Sequence, residues 1–466
     1  MRRLYWIGVV TLAGVALACS DSPAGRPDGG AAGAAAAGAS GTAGGAAMAG
    51  AAGSAVAGAA GSAAGAGGGA AGGAAGAAGA APLAAPTPIG LAALNADSAF
   101  DATSLSILDP AGGLAKADCV DSKVPTTGGS TPVLSTDVVF PSQPQRGGNV
   151  VIVDRGNGAL TFVNPSTCAV VRQVAVPNAT SLKADMDDVV IASDSKAYVT
   201  RYGVDATTTD PSKVGNDVIT IDPATGTFKS RISLDAYASV VTGATILARP
   251  DRALIASGQI AISLGEIDTS FYVYGEGKVV LIDPTTDTVT ASVVVTGLYD
   301  CSGLDYLAAS KTLLVSCGGP YGDPDRLTKS GIGVIDLSVS PPALARTITS
   351  AAFGTLPINF AWVLAAPTAA SPTRAFASTS DPEFNGGKPD ILYAFDFAAG
   401  TATQIATSDQ FAIGPSAATA SLLFVPEALA AAPKIQLFDI TATPQPTIGF
   451  ASDTVNMLSP TAVAWY

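Results

Sequence analysis

One phrase returns along this chain, and its return constrains the fold more than anything else in it. "TIDPATGTF" places Asp222 after alternating β-branched residues and before a tight turn, and "LIDPTTDTV" repeats the arrangement at Asp283. Looser copies are "SILDPAGGL" at Asp109, "TFVNPSTCA" at Asn164, "GVIDLSVSP" at Asp336, "YAFDFAAGT" at Asp396 and "LFDITATPQ" at Asp439. Each copy reads as a hairpin. Apolar alternation suits the incoming strand. The Asp or Asn side chain accepts from its own backbone to open the turn, Pro presets φ, and a later Gly or Asp tolerates positive φ.

A second strand follows each anchor, such as "FKSRISL" or "TVTASVVV", and two more short strands precede it, such as "DDVVIAS" and "KAYVTRY". Four short strands per unit, repeated at seven anchors, predict an all-β seven-bladed β-propeller of four-stranded antiparallel blades. The first anchor has little chain before it for an innermost strand, and the last is followed by the unpartnered "SPTAVAWY", Ser459 to Tyr466. The C-terminal strand is therefore expected to complete the blade begun near Ser98, with Trp465 and Tyr466 as closure residues, because a closed ring leaves no sheet edge exposed. Trp362, on a predicted innermost strand, is placed either in the core or at the central channel, and core packing is the expectation.

"KAYVTRYG" followed by "DVITIDPATGTFKSRISL" resembles the YVTN-type β-propeller repeat of extracytoplasmic seven-bladed propellers. The Tyr-Val-Thr element becomes "LIASG", "LLVSC" or "AFAST" elsewhere, and Arg201 stands where that family usually has Asn. The resemblance covers roughly residues 98 to 466 and implies the fold; it carries no shared active site.

The N-terminus reads as a targeting segment. Arg2 and Arg3 precede the apolar run Leu4 to Leu17, and "VALACSDS" places small Ala18 before Cys19, which resembles the lipobox of bacterial lipoproteins. That resemblance implies cleavage after residue 18 and lipidation of Cys19; Ser20 in place of Asp points to the outer membrane, on its periplasmic side or at the cell surface. From Gly29 to Ala81 the chain is almost purely Ala and Gly. Frequent Gly disfavours helix and no side chain there builds a core, so residues 19–88 are expected to form a disordered tether, its Gly29 to Ala81 tract alone having a reach of roughly 40 Å. The folded propeller is expected over 89–466.

Composition narrows the function. The chain contains no histidine, which removes the commonest general base, the commonest transition-metal ligand and every Ser–His or Cys–His pair. Its formal charge of -13 disfavours nucleic acid and anionic lipid as partners. No cofactor motif survives inspection: Gly67, Gly69 and Gly72 match G-x-G-x-x-G only inside the Ala/Gly tract. "DMDD" (Asp185, Asp187, Asp188) and "GDPD" (Asp323, Asp325) are acidic but lack the spacing of a calcium loop. Cys301 and Cys317 flank a hairpin at equal offsets from Ala309 and are expected to form a disulfide. Cys119 falls late in an outer strand and Cys168 in a turn, which leaves their pairing open.

The connections between second and third strands gather on one face and are long in several blades. They carry Arg201 and Tyr202, then Tyr272 and Tyr274, then Tyr321, Asp323 and Arg326, then Phe384. Tyr and Arg are common recognition anchors. Three readings follow. One is a monomeric binding module that holds an envelope protein or glycan by this face. Another is a carboxylate-based glycosidase or lyase in the channel, drawing on acids such as Asp185, Asp187, Glu266, Asp268, Asp300 or Asp323. The third is a passive surface spacer.

Overall fold

A computed structural model describes residues 82–97, 102–123, 134–177, 185–381, 387–410, 412–428, 433–442, 445, 447–451 and 458–466. These residues form seven four-stranded antiparallel sheets and one small three-stranded sheet. Blade one runs Val138–Val139, Val150–Asp154, Ala159–Val163 and Val170–Ala175; blade two runs Met186–Ser193, Lys196–Val204, Gly215–Ile221 and Phe228–Ser233. Blade three holds Pro250–Ala256, Gln259–Leu264, Glu276–Asp283 and Thr288–Tyr299, and blade four Cys301–Leu307, Thr312–Cys317, Gly331–Asp336 and Ala343–Thr349. Blade five holds Leu364–Ala365, Arg374–Thr379, Ile391–Asp396 and Thr401–Thr407, and blade six Ala417–Ala418, Leu422–Glu427, Lys434–Asp439 and Thr447–Ala451.

Blade seven joins the two ends of the fold. Its order is Leu114–Asp121, Thr103–Leu108, Leu91–Ala96 and Ser459–Trp465. The C-terminal strand pairs with Leu91–Ala96, from Leu91 opposite Trp465 to Ala96 opposite Ser459. Closure by that strand is as the sequence predicts, but the blade begins earlier than Ser98. The "GLAALNA" segment lacks strict alternation because both its faces are buried. Tyr466 extends the closure by exchanging main-chain hydrogen bonds with Ile89 and Gly90.

All seven anchors form the expected turn. The N–H two residues on donates to the anchor side-chain oxygen at 2.7–2.9 Å in every case: Asp109, Asn164, Asp222, Asp283, Asp336, Asp396 and Asp439. Gly226 closes one such turn at φ 75°, where a Cβ would lie 2.2 Å from the Ala175 carbonyl oxygen of the neighbouring blade.

The core is a ring of seven apolar layers, one between each pair of adjacent blades. Val151 and Val153 of blade one face Val189, Ile191 and Ile219 of blade two. Their strand neighbours Val150 and Ile152 turn the other way, onto Leu94, Leu105 and Ile107 of blade seven. Period-two alternation thus serves two interfaces at once, which is why middle strands are buried along their whole length while outer strands alternate. Polar staples cross the same joints. The hydroxyl of Thr103 donates to Ser135 O at 2.7 Å, that of Thr200 to Asp251 O at 2.7 Å and that of Ser316 to Phe360 O at 2.8 Å.

Both disulfides are formed. Cys301 pairs with Cys317 across the first hairpin of blade four, as expected. Cys119 pairs with Cys168, which settles the question left open by the sequence: outer strand and turn lie on adjacent blades, so the bridge crosses the joint between blade seven and blade one. The three-stranded sheet Val240–Val241, Ala244–Leu247 and Ile267–Asp268 was not anticipated. Its strands are two to four residues long and interrupt the approach to blade three. Among the described residues no helix is long and apolar enough to cross a membrane.

Candidate functional site: the central channel

The first strands of the blades surround a cavity of about 790 Å³. Val138 and Val139, Asp187, Leu254 and Ile255, Leu304 to Tyr306, Leu364 and Ala365, Ala417 and Ala418, and Ala462 to Trp465 all line it, so all seven blades contribute. A volume of this size accommodates a small organic molecule.

Each innermost strand presents a free main-chain edge to this channel, and buried N–H groups need acceptors. In blades two and three side chains supply them. The Phe140–Gln145 segment, following the first strand of blade one, runs into the channel. Gln145 Oε1 accepts from Ile191 N and Gln143 Oε1 from Ile255 N, each at 2.8 Å. Asp188 accepts from Val189 N at 2.7 Å and from Ala253 N of the next blade at 2.9 Å, and Ser142 donates to it through both N and Oγ. Burial pushes the Asp188 carboxyl up to about 6, against the opposing pull of Arg252 and these donors. Residues Leu83–Pro88, counted with the tether by composition, also line the channel, and Pro82 reaches Gly258 in the first turn of blade three. These two segments lie on the side of the anchor turns.

The opposite mouth is polar. Arg155 bonds Asp137 through Nε at 2.7 Å and Asp187 through Nη1 at 3.2 Å. Burial acts to lower the Arg155 pKa, but Asp137 and Asp185 more than compensate and hold it above its ordinary value. Arg252 donates to Phe140 O and Asp187 O and lies 3.6 Å from Asp251. The aspartates of "DMDD" therefore do not converge: Asp187 turns to Arg155 and Asp188 to backbone donors. Among the described residues no group of three or more acids or cysteines is placed to hold a metal ion.

The residues expected on the long-loop face scatter. Arg201 is a correction: it is fully buried, paired with Asp217 at 2.8 Å, and its Nη atoms donate to Ser212 O and Pro211 O. It pins the blade-two loop from within, because a guanidinium offers enough donors to satisfy a carboxylate and a turn together. Tyr202 is buried and lines the channel. Tyr274 is buried and donates to Phe271 O. Between these loops stands Arg249, which the sequence reading missed. Its guanidinium stacks 4.9 Å from the Tyr202 ring and 4.6 Å from the Phe271 ring. Tyr321 and Arg326 form a half-buried pair in blade four, with Arg326 Nε donating to Gly318 O, and Asp323 binds Lys329 at 2.6 Å, which holds its carboxyl below the ordinary value. Tyr272 is 68% exposed. Phe384 and Cys19 lie outside the described residues.

No protein-family model matches the chain, and no curated protein matches it in sequence. Solved structures resemble it in shape. A proposed 6-phosphogluconolactonase from Bacteroides fragilis aligns over 81% of this chain and 98% of its own at 10% identity and a TM-score of 0.48. A functionally unknown protein from Desulfotomaculum acetoxidans aligns over 81% and 99% at 12% identity and 0.47. The dihydro-heme d1 dehydrogenase NirN, in complex with DHE, aligns over 77% and 63% at 14% identity and 0.42.

Proposed function

We propose that this protein is an envelope-facing binding module that takes a small, largely apolar ligand into its central channel. The observation that carries the reading is the channel itself: all seven innermost strands line one cavity of about 790 Å³, dominated by Leu, Val, Ala and aromatic side chains. Apolar walls with a few placed polar groups are the usual form of a ligand site. The Phe140–Gln145 and Leu83–Pro88 segments occupy the anchor-turn side, so access is from the side of Tyr202, Arg155 and Asp187. The long-loop face keeps a part in this reading as the rim of that mouth, with Tyr272 exposed for contact with a protein or glycan.

The N-terminus supports placement at the envelope. Arg2, Arg3, the apolar run to Leu17 and Cys19 after Ala18 resemble a lipoprotein signal, and the Ala/Gly tract that follows has the composition of a tether. The two disulfides suit an oxidising compartment.

The test uses Trp362 and Trp465, which both line the channel. Titrating the full chain with N-phenyl-1-naphthylamine, an uncharged apolar fluorophore, should give saturable energy transfer at one site. Ala462→Phe, which narrows the channel, should weaken it several-fold. Saturable transfer of unchanged affinity in the narrowed variant would place the ligand elsewhere.

A further inference from the structure

Two aspartates on innermost strands do the same backbone task, but under different electrostatic conditions. Asp188 of blade two spans to Ala253 N of blade three, and Asp305 of blade four spans to Ala365 N of blade five at 2.6 Å. Each also accepts from the N–H of the residue after it. Asp188 is fully buried, has Arg252 as counter-charge and is covered by Ser142. Asp305 has none of these. It is half-buried, it lines the channel, and among the described residues its carboxyl is met by two main-chain N–H groups and no cation.

An ionised carboxylate facing an apolar cavity is costly unless a positive charge comes to it. Tyr306 follows it on the strand with its hydroxyl on Ser257 of blade three, and Phe360 and Trp362, at the start of the neighbouring blade, line the same channel. Aromatic faces attract an ammonium group, most strongly when water is excluded. Burial alone raises the Asp305 pKa, to about 6, so at neutral pH the group is mostly ionised and its charge is open to compensation. The arginines of the channel are already committed, Arg155 to Asp137 and Asp187, Arg252 to Asp251 and main-chain carbonyls. They therefore offer little to an anion.

Resting on the channel-binding reading above, we propose that the ligand is an amine: an apolar body carrying one ammonium group, which pairs with Asp305 in the channel. The same geometry rejects an anionic analogue and leaves a neutral one without its strongest contact.

The test compares three probes of one shape by calorimetry on the full chain at pH 7.5: 2-(1-naphthyl)ethylammonium, 2-(1-naphthyl)ethanol and 1-naphthylacetate. The ammonium should bind at least tenfold more tightly than the alcohol, with the acetate weakest. In Asp305→Asn the ammonium and alcohol should bind within threefold of each other, with the alcohol unchanged; Asp235→Asn, on an exposed side chain, should keep the wild-type ranking. Equal affinities for ammonium and alcohol in the wild type would overturn the amine assignment while leaving the channel site standing, and that comparison decides the matter even if the Asn variant does not fold. A preference that survives Asp305→Asn would overturn it too. Binding of none of the three probes would overturn both readings.

Discussion

The Cys119–Cys168 bridge should be the stronger of the two disulfides, and the reason lies in where it sits. It ties the outermost strand of blade seven to the anchor turn of blade one, across the joint between those two blades. Its sequence separation is 49, against 16 for Cys301–Cys317. On the chain-entropy model these loops correspond to about 4 and about 3 kcal/mol of stabilisation through the unfolded state. The perturbation is the paired substitution Cys119→Ala with Cys168→Ala, beside Cys301→Ala with Cys317→Ala. Urea unfolding followed by tryptophan fluorescence reports both. The joint pair should lower the unfolding free energy by about 4 kcal/mol and the hairpin pair by about 3, with a steeper denaturant slope as the released unfolded chain expands. Hydrogen exchange should then quicken first in Leu114–Asp121 and Val170–Ala175, the strands that flank the released joint. A loss below about 1 kcal/mol for the joint pair, or a larger loss for the hairpin pair, would refute the reasoning, since both outcomes contradict an entropic effect that grows with loop length.

Two further outcomes follow. The Asp188 carboxyl titrates near 6 in the fold and near 3.8 in the unfolded chain, so the folded state binds more protons between those values and stability falls as pH rises through that window. Asp188→Asn should remove the Asp188 share of that dependence, about 3 kcal/mol between pH 4 and 7 for a shift of roughly two units, and leave the share of Asp305, which is raised to about 6 as well; a difference between wild type and variant that does not change with pH there would contradict it. Arg201→Met should cost about 3–5 kcal/mol because it leaves Asp217 charged at a buried position, even though Arg231 also reaches that carboxylate; a loss under 1 kcal/mol would show that Arg231 alone suffices.

The fold was legible because its repeat is a local signal. Asp222 or Asp283 forms its turn with atoms two residues away, so the sequence carries the whole device. Closure was legible for a different reason: an unpaired strand at one end and a missing strand at the other have one economical solution. The small sheet at Val240–Val241 was not legible, since strands of two residues have no measurable periodicity. Nor was the Cys119–Cys168 pair, because blade-to-blade proximity is a property of the closed ring and not of either hairpin.

The site was less legible, and the long-loop reading shows why. Arg201, Tyr202 and Tyr274 carry the residue types of a recognition surface, yet the same types serve to hold long loops onto a blade. A guanidinium that satisfies Asp217 and two carbonyls is stabilised by burial with its partners, and composition cannot separate that use from exposure. The channel gave a fainter sign. In "SGLDYLAAS" an aspartate interrupts an otherwise apolar innermost strand, and in "FPSQPQ" two glutamines and a serine follow such a strand. Polar residues at those positions face the axis, where an unpaired strand edge needs acceptors. Once the ring is closed, the glutamines and Asp188 are accounted for by that need and by their partners, while Asp305 meets the same need and still faces the cavity with an unbalanced charge. It is that residue, rather than the exposed Tyr272, at which the structure departs from what folding alone requires.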